Sequence, residues 1–221
     1  MKEKKEVEKN MPKKKIKKDV KDDDSYTFKV ITLGDSGVGK TSIIKRYVKN
    51  IFDENTASSI GINSSTTELY FNENKKFKLK LLDTCGQEKY HAITKAYLKN
   101  TDAVIFVFAF NDKESFDNIQ GWMNLFNEQK SLKDTPQILL GNKSDLNTEI
   151  DENLIKEFTK TTNIKYMKTS AKEKININES IEEIGKMLIQ KYKPSEFQNN
   201  IKISSYKKGK SVKCDLCKPS I

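Results

Sequence analysis

Gly34-Asp35-Ser36-Gly37-Val38-Gly39-Lys40-Thr41 satisfies G-x-x-x-x-G-K-[ST] without a gap. The apolar run Tyr26 to Leu33 precedes it and reads as a buried strand. Ser42-Ile43-Ile44-Lys45-Arg46-Tyr47-Val48 follows and reads as a helix. A strand, a glycine-rich turn and a helix in that order are what a phosphate-binding loop requires. Glycines let the backbone curl so that several N–H groups face one set of phosphate oxygens. The helix N-terminus adds partial positive charge. Lys40 is placed to reach the β- and γ-phosphates, and the Thr41 hydroxyl to ligand Mg²⁺. Asp35, Ser36, Gly37, Val38, Gly39 and Ser42 complete the phosphate-side candidates.

Three further segments specify the nucleotide. Leu139-Leu140-Gly141-Asn142-Lys143-Ser144-Asp145 ends an apolar strand in N-K-x-D. The Asp145 carboxylate can accept from guanine N1–H and the 2-amino group. Adenine offers neither donor on that edge and would leave the carboxylate unpaired. Asn142 is placed to tie loops together, and the Lys143 stem to lie along the base. Thr169-Ser170-Ala171-Lys172 follows a short apolar strand, and a backbone N–H near Ala171 is positioned for the guanine 6-oxo group. Leu81-Leu82-Asp83-Thr84-Cys85-Gly86-Gln87-Glu88 supplies the catalytic element. Asp83 ends a strand where it can hold Mg²⁺ through water, Gly86 lets an N–H approach a γ-phosphate, and Gln87 orients the attacking water. Lys40, Gly86 and Gln87 are the catalytic candidates.

With these four motifs in order, the chain resembles the Ras superfamily of small GTPases over about Thr27 to Lys191, and within it the Rab branch. GDSGVGKT, Ile60-Gly61-Ile62, Lys78 to Thr94 and Asn111 to Trp122 carry the branch resemblance. Lys at position 2 disfavours an Arf-type myristoylated protein. Only 24 residues separate Asp145 from Ser170, which disfavours a Rho-type insert. The resemblance implies GTP/GDP and Mg²⁺ as ligands. It implies Ser59, where the family usually has Thr, as a third metal ligand beside Thr41 and Asp83, and Phe52 as the ring against guanine. It also implies a GTPase-activating protein, an exchange factor and effectors as partners, and a monomer on the cytosolic face of an endomembrane, regulating vesicle traffic.

The partner-reading surface departs from the Rab pattern. Asn63 and Ser64 stand where an acidic residue and Phe are usual, and Leu82 where Trp is usual, leaving Tyr97 of the exposed aromatic triad. Effectors unlike those of common Rab proteins are therefore expected. A weakly hydrolysing nucleotide-binding scaffold is the alternative these departures motivate. Arg46 is the only arginine and lies in the first helix, where a structural role fits. With no arginine in the Asn50 to Ser59 loop, intrinsic hydrolysis should be slow. A finger supplied in trans is worth about 10³–10⁵ in rate.

The pattern along the chain gives an α/β fold, a P-loop GTPase domain with a mostly parallel six-stranded sheet, one antiparallel edge strand and about five helices. Strands are expected near 27–33, 66–72, 75–83, 102–110, 136–141 and 164–169. Helices are expected near 39–50, 89–99, 114–130, 151–161 and 176–192. The longest apolar run, Ala103 to Phe110, is too short to span a membrane.

Net charge is +10, concentrated at the ends. Residues 1–25 hold ten Lys and seven Asp/Glu, and residues 191–221 eight Lys and two Asp/Glu. The span between holds 23 basic and 22 acidic residues, which argues against a nucleic-acid-binding face on the body. Three units are expected: a charged, disordered extension over 1–25 with no signal-peptide core, a GTPase domain over 26–193, and a basic tail over 194–221. A Lys-rich tail gains about 1 kcal/mol per Lys near anionic lipid. Cys214 and Cys217 suggest lipidation. Their spacing excludes C-a-a-X, and unmodified thiols, a metal site or a disulfide remain alternatives.

Overall fold

The computed structural model describes residues 26–54, 62–71, 75–84, 97–192 and 203–204. Strands β1 (Tyr26–Leu33), β2 (Ile62–Phe71), β3 (Lys75–Thr84), β4 (Ala103–Ala109), β5 (Gln137–Asn142) and β6 (Lys165–Lys168) realise the six expected from sequence. A two-residue strand, β7 (Ile203–Ser204), extends the sheet, whose order is β6-β5-β4-β1-β3-β2-β7. β1 pairs in parallel with both β3 and β4, and β4, β5 and β6 continue in parallel. β2 runs against β3, with Phe71 opposite Lys75. β7 lies antiparallel outside it, Tyr70 opposite Ser204, so the tail contributes to the sheet edge.

The helices are α1 (Lys40–Lys49), α2 (Lys113–Asp117), α3 (Ile119–Asn127), α4 (Glu152–Thr162) and α5 (Ile177–Tyr192). The single helix expected over 114–130 is two, separated at Asn118, whose side chain is turned onto the phosphate loop. Of the helix expected near 89–99, only Tyr97 and Leu98 lie among the described helical residues. None of the described helices is long and apolar enough to cross a membrane.

All seven residues of β4 are buried, as a central strand covered on both faces requires. Its side chains alternate between two cores. Ile105 and Val107 join Val30, Leu79, Ile43, Ile181 and Leu188 beneath α1 and α5. Val104, Phe106 and Phe108 join Ile31, Leu139, Trp122, Phe126 and Ile155 beneath α2, α3 and α4. Phe108 is the hub of the second core, with ring centroids 5.0 Å from Phe116, 5.5 Å from Phe110 and 6.3 Å from Tyr166.

Chain direction across the sheet reverses at β1, so the loops after β1, β3, β5 and β6 open at one end, where doubly wound sheets bind ligands. Gly141, just inside that end on β5, leaves room for the Phe108 hub. A Cβ there would stand 2.7 Å from Phe108 and 2.8 Å from Phe110. Gly141→Ala should lower stability by roughly 1–3 kcal/mol through overpacking. Denaturant unfolding checks this, and an unchanged midpoint would show that the ring pair relaxes freely.

Candidate nucleotide site

The loop after β1 is shaped by backbone that only glycine adopts cheaply. Gly39 lies at φ 96°, and its missing side chain makes room for the Asn142 amide, since a Cβ would come within 2.3 Å of Nδ2. Gly34, at φ 146°, lets the loop cross β4, where a Cβ would stand 2.0 Å from the Val107 carbonyl oxygen. The first turn of α1 holds no acidic residue. Its N-terminal dipole therefore faces the loop without a competing carboxylate.

Lys40 is 5% exposed, and its ammonium donates to the carbonyls of Gly34 (2.8 Å) and Asp35 (2.6 Å). Burying an ammonium is costly, and an anion in the cradle would offset that cost. Thr41 Oγ1 donates to Asp83 Oδ2 at 2.7 Å, so the two described metal candidates meet across 42 residues of sequence. Two buried hydroxyls lock the strand ends that bring them together. Thr32 donates to the Leu82 carbonyl (3.0 Å) and Thr84 to the Thr32 carbonyl (2.6 Å). A hydroxyl and a carboxylate are hard oxygen donors of the kind Mg²⁺ takes, so the pair fits that ion. Ser59, Gly86, Gln87, Cys214 and Cys217 lie outside the described residues.

On the base side, Asn142 is buried and connects three loops. Its Nδ2 donates to the Val38 carbonyl at 2.8 Å, and its Oδ1 accepts from Ala171 N–H at 3.2 Å and Thr169 Oγ1 at 3.5 Å. The Ala171 N–H, on the loop where a backbone N–H is expected for the guanine 6-oxo group, serves this tie. Lys143 takes the left-handed conformation (φ 59°), and Asp145 is exposed, with Oδ1 accepting from Ser170 Oγ at 2.5 Å. The Ser170 hydroxyl in turn accepts from Glu173 N–H at 3.0 Å. Lys172 pairs with Glu54 at 2.8 Å, a hydrogen bond that holds its pKa above the ordinary lysine value. Ser36 and Gly37 are exposed at the loop tip, Val38 is buried beneath it, and Ser42 is half-buried on α1.

Arg46 joins α1 to the Thr169–Lys172 loop, donating to the Ala171 (2.7 Å) and Lys172 (2.9 Å) carbonyls. Its guanidinium lies 5.7 Å from the centroid of Phe52, whose ring packs on the first core. Such a contact is worth about 0.5–1 kcal/mol at an exposed site.

Two side chains that sequence reasoning did not single out bear on the phosphate loop. Trp122 Nε1 donates to Asp35 Oδ1 at 2.6 Å, and Asn118 Nδ2 donates to Asp35 Oδ2 at 2.8 Å. Both Asp35 carboxylate oxygens are therefore held by the α2–α3 segment. Left loose, a carboxylate at this position would repel phosphate. No local motif could have exposed the pairing, because the partners stand 83 and 87 residues away.

Residues 29–190 match the Ras family. The chain is 32% identical to the Ras-related protein Rab-13 of Bos taurus over 198 residues, 86% of this chain and 97% of that protein. It is 31% identical to the GTP-binding protein ypt1 of Schizosaccharomyces pombe over 85% of this chain and 92% of that one. It is 38% identical to the Ras-related protein Rab-11B of Dictyostelium discoideum over 69% of each. A P-loop α/β fold of this kind, matched over most of its length, defines a small GTPase. The chain belongs to the Ras family, in its Rab branch, and is a GTP-hydrolysing enzyme.

Hydrogen bonds to a charged group are worth about 1.5–3 kcal/mol, and Asp35 carries two. Trp122→Phe should accelerate GDP release severalfold, and Asp35→Ala in the same background should add less than it does alone. Stopped-flow release of a fluorescent GDP across the double-mutant cycle reads the coupling. Strictly additive effects would mean that the two groups act separately. Asn142→Ala strands the Val38 carbonyl and the Ala171 amide, and should cost about 1–3 kcal/mol in thermal stability as well as weakening nucleotide binding.

Proposed function

We propose that the chain is a guanine-nucleotide switch of Rab type, cycling between GTP and GDP to recruit protein effectors on the cytosolic face of an endomembrane and so regulate vesicle traffic. The observation that carries this reading is the Asn142 tie, which draws the phosphate loop and both base-side loops to one point. Val38, Asn142, Asp145, Ser170 and Ala171 come from three distant parts of the sequence, yet hydrogen bonds link them. Such preorganisation suits a ligand with a phosphate end and a base end.

In this reading Gly37, Val38 and Gly39 present amides to the phosphates, Lys40 turns from the loop carbonyls to the β- and γ-oxygens, and Ser42 and Ser36 line the same cradle. Asp145, with Ser170 orienting it, accepts from guanine. Lys143, Phe52 and the Ala171–Lys172 backbone wall the base. Thr41 and Ser59, with Asp83 through water, would hold Mg²⁺, and the bound ion would supply positive charge against the phosphates. Gly86 approaches the γ-phosphate and Gln87 orients the water. Hydrolysis is slow until an activating protein supplies an arginine, and an exchange factor reloads GTP. The Lys-rich tail holds the chain at anionic lipid, with Cys214 and Cys217 as lipid acceptors.

Nucleotide affinity tests the reading. Asp145→Asn should weaken GTP binding roughly ten- to a hundredfold, the value of the lost charged hydrogen bonds, and narrow the preference for guanine over other purines. An unchanged preference would refute the base assignment. Thr41→Asn should lower affinity for Mg²⁺·GTP more than for GDP, measured by competition, and an unaltered ratio would remove Thr41 from the metal site.

A further inference from the structure

The alternation of β1 and β3 places a run of lysines on the sheet face opposite the first core. Phe28, Val30, Phe77, Leu79 and Leu81 point into that core. Lys29, Lys78 and Lys80 therefore stand on the other face. The register pairs Lys29 directly with Lys80, and Thr27 with Lys78. Like charges directly opposite on one sheet face oppose each other. Glu68 pairs with Lys76 at 3.1 Å and stands directly opposite Lys78 in the β2–β3 register, so Lys78 has a facing carboxylate. Asp102 accepts from the Lys29 backbone N–H at 2.8 Å, and Lys29 and Lys80 keep each other as direct cross-strand neighbours. Among the described residues no ion pair holds Lys29, Lys78 or Lys80.

At the top of this run lies a cleft of about 380 Å³ lined by Lys29, Lys80, Leu82, Tyr97 and Asn100. Leu82 is 3% exposed and forms an apolar floor, whereas Tyr97 is 44% exposed and forms a wall. The volume suits one or two side chains, at the small end of ligand pockets. Lys80 and Leu82 sit on the strand that delivers Asp83 to Thr41.

We infer that this cleft is a docking site for an acidic segment of a partner protein, one carrying an aliphatic or aromatic anchor between carboxylates. The anchor seats on Leu82 against the Tyr97 ring, while the carboxylates neutralise the opposed Lys29 and Lys80. A bilayer or a nucleic acid fits less well. Each needs an extended positive field, and the span between the two charged ends holds 23 basic against 22 acidic residues. Here the charge is a local pair around an apolar floor. The inference deepens the proposed switch function by giving the chemistry of an effector.

The test is selection of random twelve-residue displayed peptides on the full chain loaded with a non-hydrolysable GTP analogue. Enriched sequences should carry Asp or Glu around a Leu, Phe or Trp. Their affinity should fall about tenfold in Lys29→Glu/Lys80→Glu, less in Lys29→Gln/Lys80→Gln, and not in Lys156→Glu on α4. Thermal unfolding and GDP binding of each variant should match the parent, since Lys29 is exposed, Lys80 is half-buried and neither is in an ion pair with a described residue. Enrichment of neutral or basic sequences, of none, or of acidic ones that bind the double variant equally well would overturn the inference. So would charge-dependent binding of phosphatidylserine vesicles or single-stranded RNA in place of the peptides. A chain that binds no guanine nucleotide but still selects acidic peptides through these lysines would refute the switch reading and leave the docking site standing.

Discussion

The site depends on one buried amide. Asn142 has a donor end and an acceptor end, and the structure spends them on different loops, Val38 on one side and Ala171 with Thr169 on the other. Strand β5 is paired on both sides, with β4 and β6, so the amide at its end is a fixed reference for two loops from distant parts of the sequence. The fit is tight enough to dictate a neighbour. The glycine at position 39 is required as much by the Asn142 amide against it as by its own positive φ. Phosphate-side and base-side geometry are in this sense one constraint.

The phosphate side has its own scaffolding. Hydroxyls of Thr32 and Thr84 lash the ends of β1 and β3 together, and Asp83 meets Thr41 as a result. On the opposite flank, α3 reaches over with Trp122 and removes a carboxylate from where phosphate oxygens belong. The sheet places the elements, and these few polar contacts aim them. Membership of the Rab branch gives the chemistry a name, while these contacts explain how this particular chain sustains it.

Much of this was legible in the sequence, because strong local rules wrote it. The apolar runs of β1, β4 and β5, the glycine-rich turn and the helix after it each follow from periodicity within a dozen residues. The role of Asn142 as a loop tie was readable from its motif. What was hidden is non-local or single-residue. The clamp on Asp35 joins residues more than eighty positions apart. Asn118, at the junction of α2 and α3, turns its side chain onto that carboxylate, a long-range contact that helix propensity does not encode. Ile203 and Ser204 are too short a segment to announce a strand, and only the open edge of β2 makes them one. The use of the Ala171 amide within the protein follows from the depth of Asn142, which a motif does not encode.

Trp122 is the only tryptophan in the chain. Its indole N–H is bound to the phosphate loop, and the ring is anchored in the second core. The molecule therefore carries a single indole fluorophore wired to the segment that nucleotide exchange must disturb. Its emission colour and intensity respond to that hydrogen bond and to the polarity around the ring. An unlabelled sample in a cuvette thus offers an optical view of the loop, with no second indole to dilute it.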